Sequence, residues 1–159
     1  MIERVTDSLN RQHKALLLLK TLLEEEFSRL TDLEPQTVSS IELSVQELLR
    51  QLGRERMLVR GLVGDIQPGA QRVRELADVV DEDRMARMQD LLAEMDDMEQ
   101  ACARQAAKNQ ALVLGLYDQS TGLLQVLHDA VQPKSKAAYA KTGRFAQVRP
   151  EASLIRGRL

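Results

Sequence analysis

Two histidines, one cysteine and a run of three glutamates are the residues of this 159-residue sequence best able to do chemistry. His13 and His128 stand 115 positions apart, and neither has a second ligand or a nucleophile at a useful spacing. A phosphorelay bundle would need one exposed histidine flanked by small residues, and Leu127 and Asp129 beside His128 fit that poorly. Glu24, Glu25 and Glu26 are consecutive, so on a helix they point in different directions and share an ion badly. Cys102 is the single cysteine. It has no partner for an internal disulfide or a cysteine-based zinc site, and reads as a small buried hydrophobe. No glycine-rich phosphate loop, nucleophile elbow or catalytic pair is present. The expectation is therefore a protein that is not an enzyme, with no cofactor and no metal.

The remaining chemistry is that of surfaces. Apolar residues make up 43%, charged residues 29% and aromatics 3%, with no Trp. This is too apolar for a disordered chain and too poor in aromatics for a sandwich or barrel. Leu, Ala, Glu, Arg and Gln dominate, which is the composition of long helices. Charge is uneven. Residues 132–159 hold seven basic side chains against Glu151, a net +6, so that residues 1–131 carry −8 of the overall −2. A basic tail on an acidic body suggests interaction through the tail. Phosphate would be repelled by the body, and the tail has little aromatic interleaving, so nucleic acid is disfavoured as a partner. The N-terminal Met1-Ile2-Glu3-Arg4 lacks the layout of a secretory signal. No apolar run nears the ~18 residues of a membrane span, since Ala15 to Leu19 is stopped by Lys20. A cytoplasmic protein without membrane insertion is expected.

Apolar spacing supplies the elements. Ile2, Val5, Leu9, Gln12, Leu16, Leu19, Leu23, Glu26, Leu30 and Leu33 recur at alternating steps of three and four, apolar apart from Gln12 and Glu26. That is a heptad seam, and it predicts a helix over 2–33. Pro35 suits the first turn of a second helix over 35–66, with the seam Val38, Ile41, Val45, Leu48, Leu52, Glu55, Val59, Leu62 and Ile66. Gly64 and Gln67-Pro68-Gly69 end it. A short amphipathic connector follows over 70–79. Asp81-Glu82-Asp83 offers caps for a third helix over 81–131, roughly 75 Å long at 1.5 Å per residue. Its seam runs from Met85 to Ala130, with Met88 and Met95 as core filler and Gly115 to Gly122 as the place for a bend. The expected fold is all-α: an elongated antiparallel bundle or coiled coil of three long helices over 1–131, then an extended basic tail over 132–159.

Two features of the third helix carry the functional reading. Asn109 is polar on an apolar seam, where such a residue commonly sets register. Past it, the helix outlasts its partners, and Leu116, Leu123, Leu124, Leu127 and Val131 form an apolar stripe without an obvious cover.

The tail adds a resemblance. Lys108-Asn109-Gln110-Ala111-Leu112 and Leu123-Leu124-Gln125-Val126-Leu127 are followed, past a proline, by Ala138-Tyr139-Ala140-Lys141-Thr142-Gly143. This order resembles the FlgN family of flagellar type III export chaperones. That family pairs an N-x-x-N-x-x-L-L-type stretch in its last long helix with a terminal Tyr-Gly-x-x-Gly element and a basic tail. The Leu-rich first helix, the stretch from Leu48 to Arg56 and the length are also similar. The first Asn of the pair falls on Ala106, and the Gly after the Tyr is Ala140; Gly143 is kept. The resemblance implies a cytosolic chaperone for hook-associated proteins, which form the hook–filament junction. It implies capture of the client's amphipathic C-terminal helix by the C-terminal helical region, here the Leu116 to Val131 stripe. It also implies docking of Tyr139 and Gly143 to the cytosolic domain of the export gate. The competing reading is a structural coiled coil whose last helix or tail is covered by a second copy in a homodimer.

Overall fold

The computed structural model describes residues 1–131. Three α-helices carry them: α1 Ile2–Thr31, α2 Pro35–Ile66 and α3 Glu82–Val131. One 3-10 turn, Val73–Leu76, lies between α2 and α3. There is no strand among the described residues. The chain divides into two compact units, Met1–Val113 and Leu114–Leu159.

Helix α1 stops two residues short of the seam's last apolar position. Leu33 is not helical; it adopts φ 58° in the left-handed region and stands exposed. The Glu34 N–H donates to the Arg29 carbonyl at 3.0 Å and the Leu33 N–H to the Leu30 carbonyl at 3.2 Å. These two bonds are the Schellman closure of a helix C-terminus, which usually has glycine where Leu33 sits. Arg29 straps the turn by pairing with Glu25 at 2.6 Å and Glu34 at 3.3 Å. Pro35 then opens α2 at a first-turn position, where a missing N–H costs nothing.

After α2, Gln67-Pro68-Gly69-Ala70 form a turn closed by the Ala70 N–H on the Gln67 carbonyl at 3.0 Å. Gly69 takes φ 91°, the positive angle such a turn needs at its third residue. The connector is shorter than the pattern suggested, a single 3-10 turn. It nonetheless buries Val73 and Leu76, with Ala70 and Val80 beside them. Asp81 caps α3, its Oδ1 accepting the Arg84 N–H at 3.0 Å. The glycines at 115 and 122 do not interrupt α3. Their neighbours are mostly good helix formers, and an exposed helical glycine costs only about 1 kcal/mol.

In the first unit, polar contacts give the direction of the helices. Ser8 and Arg11 meet Glu55, so α2 returns antiparallel to α1. Along α3 the pairs advance together with α1: His13 with Glu94, Leu16 with Cys102 and Leu23 with Asn109. Helix α3 therefore runs alongside α1 in the same direction. Between α2 and α3, Arg56 reaches Glu99 at 2.5 Å. The core is the expected seam: Val5, Leu9, Leu16, Leu19 and Leu23 of α1 against Leu48, Leu52, Val59 and Leu62 of α2 and Met85, Met88, Met95 and Cys102 of α3. Each such leucine contributes roughly 1.5–3 kcal/mol by leaving water.

One layer of this core is polar. Gln12, buried on the seam of α1, donates to the Ser8 hydroxyl at 3.5 Å. Ser8, wholly buried, donates in turn to the Glu55 carboxylate. Arg11 closes the layer from the solvent side with two bonds to Glu55, at 2.9 and 3.0 Å. The Arg11 guanidinium, helped by the Ser8 hydroxyl, holds the Glu55 carboxyl below its ordinary value against the opposing effect of burial.

Two outcomes test this account. Leu33→Gly removes a left-handed strain of roughly 1–2 kcal/mol but adds unfolded-state entropy, for a net gain of about 0.5–1 kcal/mol in denaturant titration. Glu55→Gln weakens the pairing with half-exposed Arg11 and costs about 1 kcal/mol at pH 7. Because the Glu55 carboxyl is lowered in the folded state, its stabilisation is present above the ordinary glutamate range and is lost as pH falls through the folded value. The gap between wild type and Glu55→Gln therefore closes below about pH 4.5 when melting curves are compared.

Candidate functional site

Each chemically capable residue of the first unit is committed to structure. Cys102 is buried with its thiol toward the Leu16 carbonyl at 3.7 Å, and burial pushes its pKa up, away from a reactive thiolate. His13 is half-buried beside Glu94, its Nε2 3.6 Å from the carboxylate. The three consecutive glutamates diverge as helix geometry requires. Glu24 pairs with Lys20 at 3.2 Å, Glu25 with Arg29, and Glu26 with Asn109 at 2.6 Å. Among the described residues no cluster of three or more His, Cys, Asp or Glu is placed to hold a metal.

Asn109 belongs to the same economy. Its Nδ2 donates to the Leu23 carbonyl at 2.8 Å and to the Glu26 carboxylate, and its Oδ1 accepts from Gln105 at 3.0 Å. The polar interruption in the seam of α3 thus faces the polar interruption in the seam of α1. Sequence spacing singled out Asn109 but not its partners, because their register across two helices is a tertiary fact. Ser8 was missed altogether. It lies off the main seam, and only the demand of Glu55 for a donor signals it.

A cleft of about 370 Å³ opens in this unit between α2 and α3. Leu16, Leu19 and Leu23 floor it, and Leu49, Gly53 and Ala106 are among its walls. The mutually paired Arg56 and Glu99 stand at it, so no free charge is offered there.

The second unit is different in kind. None of its described residues, 114–131, is fully buried. Leu123 is 60% exposed, Leu124 67%, Leu127 52% and Val131 62%; Leu116 is half-buried. All five sequence-predicted positions therefore share one helix and one broad face. Tyr117 and Val126, as exposed as these, extend it and were not singled out from the main seam. Asp118, Gln125, His128 and Asp129 occupy the opposite arc, where Gln125 donates to Asp129 at 2.9 Å. Such a face can bury a partner's apolar residues. No helix of the described residues is long and apolar enough to cross a membrane. Tyr139 and Gly143, the expected docking residues, lie outside the described residues.

Comparison with curated proteins and with solved structures finds no match. The model of the FlgN protein family matches residues 1–146, which takes in all three helices, the exposed face and the Tyr139 to Gly143 element. With helices as the main elements of its described residues, buried seams through Asn109, an uncovered apolar face beyond it and this match over most of its length, the chain belongs to the FlgN family of flagellar export chaperones.

Proposed function

We propose that the protein is a cytosolic export chaperone that binds the amphipathic C-terminal helix of flagellar hook-associated proteins and delivers them to the type III export gate. The observation that carries this reading is the contrast within α3. From Met85 to Asn109 the seam is largely buried, whereas Leu123, Leu124, Leu127 and Val131 stand in solvent. An isolated amphipathic helix face of this kind accepts a partner helix in the helix-in-groove manner. Covering a client's adhesive terminus would prevent its assembly before export. Release asks only for moderate affinity, so the protein acts by binding alone, without a cofactor. The basic tail, with Tyr139 and Gly143, is the element that docks to the cytosolic domain of the gate, with Tyr139 as an amphipathic anchor. Self-association through the same face is the rival reading, and the oligomeric mass of the free chain separates the two.

Leu123→Ala with Leu127→Ala weakens binding of a full-length hook-associated protein by several kcal/mol in titration calorimetry, at roughly 1.5–3 kcal/mol per buried leucine. The melting temperature stays unchanged, since neither side chain is part of the core. Leu16→Ala, by contrast, costs roughly 2–5 kcal/mol of stability. Undiminished affinity in the double variant removes the stripe as the client site. Tyr139→Ala leaves client affinity and melting temperature unchanged while reducing client secretion and binding to the gate domain. A fall of several degrees in its melting temperature would instead make Tyr139 part of the fold.

A further inference from the structure

The cleft between α2 and α3 in the first unit is one half of a longer trough. On the connector side of the Arg56–Glu99 pair lies a second chamber of about 400 Å³, and Glu99 lines both. The charges of the trough are sorted by wall. Its lining bases, Arg56, Arg72 and Arg74, stand on α2 or the connector, and its lining acids, Asp96 and Glu99, stand on α3. Arg56 and Glu99 pair across it. Among the described residues Arg72 and Arg74 have no ion-pair partner, and Asp96 accepts only from Gln100.

The apolar chamber is likewise half made. Leu49 stands 50% exposed on the α2 wall, and α3 offers exposed Ala103 and Ala106 at the same level. A Cβ added to Gly53, beside them, would meet nothing within the chain. A surface that fits this trough presents acids to the α2 wall and bases to the α3 wall at the level of Asp96. At the level of Leu49 it presents a protruding apolar side chain to α3 and small residues to α2.

The trough itself, turned about a twofold axis parallel to the helices, is such a surface. Rotation about that axis exchanges the two walls and keeps their level. It sets Arg72 and Arg74 against Asp96 of a second copy, and Leu49 against that copy's Ala103 and Ala106. An isologous interface makes each of these contacts twice. An axis across the helices would instead lay basic wall on basic wall. We propose that the protein forms a twofold dimer through the α2–α3 trough, in which Leu49 of each chain completes the apolar chamber of the other. The dimer uses neither the 116–131 face nor the tail, so it stands apart from the chaperone reading.

The test is sedimentation equilibrium of the full chain over a dilution series in the micromolar range, with no client present. The expected species has twice the 17.9 kDa mass of the chain. Asp96→Arg weakens the dimer at least about tenfold, and so does Arg72→Asp with Arg74→Asp, because each sets like charges together. An equimolar mixture of these two variants restores the dimer, since in the mixed pair every base again meets an acid at both contacts. All three positions are exposed, so both variants keep the wild-type melting temperature. Leu49→Glu also weakens the dimer at least about tenfold, by placing a charge against the alanines. Leu123→Ala with Leu127→Ala leaves it intact. A wild-type chain that stays monomeric overturns the proposal, as does a dimer unmoved by either charge reversal or a mixture that stays monomeric. A dimer lost in the Leu123 and Leu127 variant places self-association on the 116–131 face and overturns it too.

Discussion

Every polar side chain that interrupts a seam in the first unit needs a partner, and that demand organises the unit. Apolar rows alone would let α1, α2 and α3 slide past one another by a heptad at little cost, since one leucine layer resembles the next. Glu55 is satisfied only where Ser8 and Arg11 meet it. Asn109 is satisfied only opposite Leu23 and Glu26. A shift by one heptad strands a carboxylate or an amide among leucines, at roughly 1–3 kcal/mol for each buried group left unpaired. Apolar burial holds the helices together, and these few bonds choose the arrangement.

The same rule separates the two stretches of α3. Up to Asn109 its polar seam residues have partners on α1 or α2. Past Val113 the interruptions are Gln119 and Ser120, both exposed, on a helix whose apolar residues are exposed with them. A helix with this much uncovered apolar surface is suited to exchange, because its contacts can form and dissolve without disturbing a core. The energy of such contacts is hydrophobic and nondirectional. Rotamer ordering and lost rigid-body freedom offset much of it on any association. Family membership and exposed face thus point the same way, although they rest on different observations.

Much of this was legible in the sequence. Alternating three-and-four spacing marked out α1, α2 and α3 within a residue or two, because helix period and burial are coupled locally. Pro35, Gly69 and Asp81 punctuate the chain for reasons internal to each residue: a fixed φ, a free φ and a capping oxygen. The end of α1 was less legible. Leu33 continues the apolar rhythm, yet the turn into Pro35 requires a left-handed residue there, and spacing carries no information about φ.

What the sequence determined by itself is therefore what is local: helical periodicity, breakers, the acidic body and basic tail, and the apolar character of the stripe from Leu116 to Val131. Only the tertiary structure decided which polar residues meet. The pairing of Ser8 with Glu55 spans 47 positions and that of Asn109 with Glu26 spans 83. No pattern within a single helix encodes a register between two. Tertiary structure also decided which apolar residues are left uncovered. Leu16 and Leu127 occupy equivalent seam positions and read alike in sequence, yet one is 2% exposed and the other 52%. The difference lies wholly in whether another helix stands opposite, since burial belongs to the neighbours of a side chain and not to the side chain itself.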